Sequence, residues 1–170
     1  VDKRVSDRIG VVVFSGESYT RVPLTLEYKL LKDNVKDVKT SNNIKMGTAI
    51  GVALGNAVAR LTESDAASRV VILLTDGENN TGLIDPQTAL KIAKDDGVRI
   101  YTIGVGRDGQ ARLPVYNTDM YGRRVKGYQP IHSKVNEPLL NQLAEETGGK
   151  YYRATKTTGL AQVFADIDQL

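Results

Sequence analysis

In the stretch Arg69-Val-Val-Ile-Leu-Leu-Thr-Asp-Gly-Glu-Asn-Asn-Thr-Gly82, an apolar and β-branched run ends on a carboxylate, Asp76, followed by Gly77 and, after Glu78, by Asn79 and Asn80. A buried strand finishing on an acid sets that acid at the rim of a sheet. There it can ligate a hard cation, accept a phosphoryl group or simply close a turn, since Asp-Gly is also a common turn dipeptide. Mg²⁺ takes oxygen ligands in an octahedron and keeps some of its waters, which suits a single carboxylate on a rigid strand end. Thr48 offers a second oxygen: it precedes a small-residue helix, where it reads as an N-cap or as a ligand at the same sheet edge. Two oxygens are too few for a cation. Ser15, Glu17 and Ser18 read as a turn between two strands and do not add to them.

Other chemistries find less support. Residues 104–109 (GVGRDG) match G-x-G-x-x-G after a strand. A dinucleotide fingerprint, however, must open a helix and carry an acid about 20 residues on. Pro114 follows instead, and 120–136 holds no acid. His132 is the sole histidine and shows no triad spacing with serine or acid, so it reads as a loop histidine. Arg123, Arg124 and Lys126 beside Tyr121 and Tyr128 could stack nucleic acid, but read as a solvated hairpin face. Glu78 stands where a D-x-D hydrolase needs its second aspartate, and no G-x-x-x-x-G-K-[ST] loop exists. Enzyme activity is disfavoured. The alternative retained is a Mg²⁺-dependent phosphatase or phosphoacceptor using Asp76, and a scaffold that never binds metal is a third.

The elements that must position these residues alternate. Residues 8–15 are a continuous apolar strand, and 18–24 an alternating one that Pro23 confines to an edge. Residues 27–38 carry Leu30, Leu31, Val35 and Val38 at helical spacing. After a loop at 42–47 comes the helix 49–61, then the strand 70–75. Asp85-Pro86 caps a helix at 87–95 that Gly97 ends, and 98–105 is the next strand. Residues 107–131 break the rhythm and read as an inserted hairpin, with strand-like pieces at 113–117 and 124–128. A helix at 136–147, a short strand at 150–154 and an amphipathic helix at 159–170 complete the chain. Nearly all-apolar strands alternating with helices imply a parallel sheet covered on both faces, with ligands at the carboxyl ends of its strands.

The 170 residues suit one domain, 1–170. Charges are interleaved, 23 Lys+Arg against 20 Asp+Glu, so no nucleic-acid partner is implied. Without cysteine, disulfides and thiolate metal sites are excluded, and both cytosol and periplasm fit. No apolar run is long enough to span a membrane, and the opening residues lack a signal peptide's apolar stretch. The abrupt charged start, without Met, suggests a piece of a longer protein.

Residues 47–51 (GTAIG) and 74–80 (LTDGENN) give the chain a strong resemblance, over nearly all its length, to a von Willebrand factor type A domain. Residues 7–18 (DRIGVVVFSGES), 23–25 (PLT) and 101–106 (YTIGVG) are most similar to the bacterial aerotolerance-type (BatA-like) members, and the insertion before His132 fits them too. The resemblance implies a Rossmann-like, doubly wound α/β fold: a mostly parallel sheet with one antiparallel edge strand and helices on both faces.

It also implies a metal-ion-dependent adhesion site (MIDAS) built from a D-x-S-x-S loop, a threonine and an aspartate. Thr48 and Asp76 match the last two, while no D-x-S-x-S occurs in this sequence. The family pattern would put the first, central strand and its helix ahead of Val1. The implied function is a non-enzymatic protein–protein interaction module, in which a partner's acidic side chain fills an open position on Mg²⁺. This chain is expected to bind Mg²⁺ weakly or not at all. It is also expected to close the gap left by the central strand or to borrow a strand from another chain, and so to self-associate. The full-length protein is expected to be anchored in the inner membrane with the domain in the periplasm, and the fragment to be soluble. A MoxR-type ATPase or other proteins with the same domain are the implied partners.

Overall fold

A computed structural model describes residues 7–39, 45–76, 78–106, 109–118, 120, 122–133, 135–154 and 163–164. The first unit is a hairpin of β1 (Ile9–Phe14) and β2 (Ser18–Thr25), closed by a tight turn in which the Ser15 N–H donates to the Glu17 carbonyl at 2.8 Å. β2 pairs only with β1, so Pro23 sits on an edge where its missing N–H costs no ladder bond. α1 (Tyr28–Lys36) buries Leu31, but Leu30, Val35 and Val38 stay exposed. The apolar stripe predicted from spacing is there, and only one of its four residues is fully covered.

α2 (Ile50–Thr62), β3 (Val70–Thr75), α3 (Pro86–Asp95), β4 (Arg99–Val105), α4 (Glu137–Glu145) and β7 (Tyr151–Ala154) form the main body, a three-stranded parallel sheet in the order β3-β4-β7. Register runs unbroken from Val70 opposite Arg99 to Thr75 opposite Gly104. β5 (Gly109–Thr118) and β6 (Arg124–Ser133) pair with each other as a separate antiparallel ribbon inserted after β4.

Alternation along β3 and β4 divides the core between the two faces. Ile50, Leu54 and Val58 of α2, Ala89, Leu90 and Ala93 of α3, and Leu140 and Leu143 of α4 pack with Val71, Leu73 and Ile100 on one face. Burying each Val, Leu or Ile side chain among these contributes about 1.5–3 kcal/mol. The Thr102 hydroxyl, fully buried, is satisfied by donating to the Leu140 carbonyl at 2.8 Å. Thr147 fastens the end of α4 to β4, because its hydroxyl oxygen accepts the Ile100 N–H at 2.9 Å. The opposite face holds a smaller cluster of Tyr101, Ile103, Ala154 and Val163.

Three expectations change. β1 and β3 do not pair, and no Cα of one lies within 8 Å of a Cα of the other, although both rest on α2. Direct pairing of β1 with β3 therefore does not close the gap, since strands separated by one missing neighbour stand about 9–10 Å apart, too far for hydrogen bonds. Thr48 is not the N-cap of α2; Ala49 holds that position without a side-chain cap bond. The strands of the inserted hairpin outrun the predicted pieces 113–117 and 124–128, and β6 extends past residue 131, which places His132 in β6 opposite Gln110 rather than in a loop. Of the predicted 159–170 helix, Val163 and Phe164 are helical and the rest lies outside the described residues, as do 42–44 of the predicted loop.

Candidate functional site

Three loops meet at the carboxyl rim of the parallel sheet. The turn after β1 joins the segment before α2: the Gly16 N–H donates to the Lys45 carbonyl at 2.8 Å, and the Ala49 N–H to the Ser15 carbonyl at 2.7 Å. The loop after β3 grips the same segment. The Thr48 N–H donates to Asn80 Oδ1 at 2.8 Å, the Asn80 N–H returns a bond to the Thr48 carbonyl at 3.1 Å, and the Ile50 N–H donates to Asn79 Oδ1 at 2.8 Å. Asn79 thus does the work of an N-cap for α2 from a distant loop, satisfying one of the helix's orphan N–H groups. Gly47 has φ of +120°, and a Cβ there would lie 2.6 Å from Thr81 Cγ2. Only glycine allows so close an approach of the two loops.

Asp76, the first residue beyond β3, is exposed, and Thr48 is half-buried. Gly106, just beyond β4, lies against Asp76: a Cβ built on it would stand 4.0 Å from Asp76 Cβ. The segments bearing the two candidate ligands are therefore tied together through Asn80, and both lie at the end of the sheet that the sequence predicted.

The donor set falls short of a cation site. Among the described residues no three of His, Cys, Asp or Glu gather in one place. The side-chain oxygens of Asn79 and Asn80 each already accept a backbone N–H. One carboxylate and one hydroxyl do not fill the octahedron of Mg²⁺.

Gly104 and Gly106 serve packing and turning rather than phosphate binding, and Gly109 opens a strand where a dinucleotide fingerprint needs a helix. A Cβ on Gly104 would come within 2.8 Å of Val135 Cγ1 and 2.9 Å of Tyr151 Oη. That tyrosine hydroxyl is buried without a hydrogen-bond partner, and burial pushes its pKa up. Sequence reasoning noted the paired asparagines without giving them a role. The signal was their position just after Asp76-Gly77-Glu78, on the loop most able to reach a neighbouring helix start.

Comparison with known proteins agrees with this geometry. An aerotolerance-related membrane protein from Bacteroides fragilis superposes with a TM-score of 0.75 at 27% identity, matching 99% of this chain and 83% of that one. Proximal thread matrix protein 1 from the mussel byssus, with a zinc-occupied MIDAS motif, shares the fold at a TM-score of 0.66 and 24% identity, covering 94% of this chain and 33% of that one. A UPF0353 protein of Mycolicibacterium paratuberculosis is 29% identical over 168 residues, 94% of this chain and 47% of its own length. The chain spans about half the length of the curated relatives it matches. With a doubly wound α/β body, the loop cluster at its carboxyl rim and a family match running from residue 2 to residue 166, the chain belongs to the von Willebrand factor type A domain family.

Proposed function

We propose that the chain is a non-enzymatic protein–protein interaction module of a bacterial envelope protein, meeting its partner at the rim where the Thr48 and Asp76 loops lie. The observation that carries this reading is the mutual tie between Thr48 and Asn80, which fixes two loops in one arrangement while leaving the Asp76 carboxylate exposed. A rim already ordered loses little conformational entropy when a partner docks. An exposed acid that belongs to no cluster of three His, Cys, Asp or Glu side chains, among the described residues, is poorly equipped for general acid–base or phosphoryl chemistry.

In this reading Thr48 and Asp76 supply two oxygens of a divalent-cation site, Mg²⁺ by preference. The remaining donors come from outside these 170 residues, a partner's carboxylate among them. The description of the Bacteroides relative as a membrane protein supports an envelope location, and the proposal puts the domain on the periplasmic side. Among the described residues no helix is long and apolar enough to cross a bilayer, so the proposal puts anchoring elsewhere in the longer protein. A MoxR-type ATPase or another protein with this domain is the partner class proposed.

Two measurements test this. Calorimetry of the 170-residue chain with Mg²⁺ is expected to show weak binding or none. Capture of envelope proteins by the full-length protein is expected to need Mg²⁺, to fail with a chelator and to fail in Asp76→Ala. Asp76-dependent turnover of a phosphomonoester would overturn the non-enzymatic reading, and tight stoichiometric Mg²⁺ binding by the chain alone would overturn the shared-site reading.

A further inference from the structure

The β5–β6 ribbon stands apart from the body. Its two ten-residue strands extend about 33 Å at the usual strand rise, and no Cα of either lies within 8 Å of a Cα in another described helix or strand. Two-stranded ribbons without a covering layer are marginally stable in water, and both outer edges of this one are open among the described elements.

The prolines reveal which backbone groups those edges present. Pro114 pairs with Tyr128, and Pro130 with Arg112. A proline has no N–H to give its cross-strand partner, so both pairs must be of the non-hydrogen-bonded kind, whose N–H and C=O groups point away from the ladder. Alternation carries the same assignment to the pair of Tyr116 with Lys126. Along β6 the N–H and C=O groups of Lys126 and Tyr128 therefore face outward in succession, and Pro130 ends the run. On β5, Pro114 interrupts the outward donors midway.

Charge singles out the same arm. Residues 107–133 carry five arginines and lysines against two aspartates, a surplus of three that equals the +3 formal charge of the whole chain. The remainder of the molecule is balanced. Arg124, Lys126 and Tyr128 alternate onto one face of β6, with Lys126 Nζ 5.5 Å from the centroid of the Tyr128 ring. Val125 and Tyr128 are 50% and 59% exposed, so the edge also offers apolar surface to be covered.

We propose that the outer edge of β6 is a docking edge for an extended acidic segment of a partner protein, which adds as a strand along Lys126 and Tyr128 and sets its carboxylates against Arg124 and Lys126. Main-chain bonds supply affinity in this mode, and the alternating side chains supply selectivity. A second copy of the chain is the wrong occupant, because pairing β6 with itself brings like charges face to face. β4 ends beside Asp76 and the ribbon begins at Gly109, and Lys126 and Tyr128, opposite Tyr116 and Pro114, lie about 17–23 Å along it from that base at the usual strand rise. The assignment uses no cation and stands or falls separately from the metal reading.

The test is fluorescence anisotropy of a labelled alternating Val-Glu octapeptide with the 170-residue chain in EDTA. Saturable binding is expected, with an alternating Val-Lys octapeptide failing to bind. Arg124→Glu combined with Lys126→Glu is expected to weaken binding about tenfold or more at low salt. Lys126→Pro is expected to weaken it more than Lys126→Ala, since only the former removes the outward N–H while the latter removes the same charge. Circular dichroism and thermal melts establish that each variant keeps its fold. Absence of Val-Glu binding overturns the proposal, as does equal binding by the charge-reversed variant or equal effects of Lys126→Pro and Lys126→Ala. So does a preference for phosphatidylserine vesicles or single-stranded oligonucleotide over the peptide.

Discussion

Asn80 and Thr48 hold each other in both directions: the asparagine side chain accepts the Thr48 N–H at 2.8 Å, and its backbone N–H donates to the Thr48 carbonyl at 3.1 Å. One residue earlier, Asn79 accepts the first helical N–H of α2, from Ile50. The β3 rim and the start of α2 are thus one mechanical unit. Asn79→Ala is expected to lower stability by about 0.5–2 kcal/mol, as loss of an N-cap does. Asn79→Asp, which keeps an acceptor at a helix N-terminus, should recover most of that loss. Urea denaturation of the three proteins checks both, and an unchanged midpoint in Asn79→Ala would sink the capping role.

Gly104 is glycine because of what faces it. A methyl group there would press on Val135 Cγ1 at 2.8 Å and Tyr151 Oη at 2.9 Å. Gly104→Ala is expected to cost about 1–3 kcal/mol through overpacking, and Tyr151→Phe in the same background to relieve part of it. The Phe change also removes a buried hydroxyl that has no partner. A double-mutant cycle by chemical denaturation measures the coupling.

Acid sensitivity should be traceable to two carboxylates. Asp85, which caps α3, has its pKa lowered chiefly by the Thr88 hydroxyl and then by the Thr88 N–H. Glu146 has its pKa lowered chiefly by the bond from Lys94 at 2.8 Å and then by Gln142. Both are lower folded than unfolded, so their contributions are complete above the unfolded carboxylate range and fade as pH falls through the folded values. Stability should therefore drop below about pH 4, the ordinary carboxylate range, with a smaller drop in Asp85→Asn. Denaturation midpoints from pH 6 to pH 2.5 check this. Raised salt should affect the solvent-facing Lys94–Glu146 pair more than the Asp85 cap.

The gap beside β3 makes a prediction about association. Among the described strands β1 and β3 do not pair with each other, and Leu74 of β3 is 37% exposed. Open edges with apolar side chains recruit strands from other chains. Sedimentation of the 170-residue chain is expected to show concentration-dependent association, and Leu74→Lys to reduce it while leaving the denaturation midpoint within about 0.5 kcal/mol, as for other surface changes. A monomer throughout would remove the gap as an interface.

Much of this protein is legible without coordinates. The run from Val70 to Thr75 is a strand in the structure as in the sequence, because six consecutive apolar or β-branched residues ending on an Asp-Gly turn signal are of strand length and too short for a helix. Asp85-Pro86 opens α3 as its side-chain acceptor and fixed proline φ dictate. These are local properties, carried by side chains within a few positions of one another. The same locality misled for Thr48, which has the chemistry of a cap and loses the position to Ala49 and the task to Asn79, 29 residues from Ile50.

Tertiary structure alone decided three further matters. It decided that β1 and β3 do not pair with each other, that the asparagines after Asp76 secure the neighbouring helix, and that β4 ends beside that acid just before the basic ribbon. Each depends on where a segment lies relative to distant partners, and hydrogen-bond geometry and steric contact between remote residues leave no periodicity in the sequence to read.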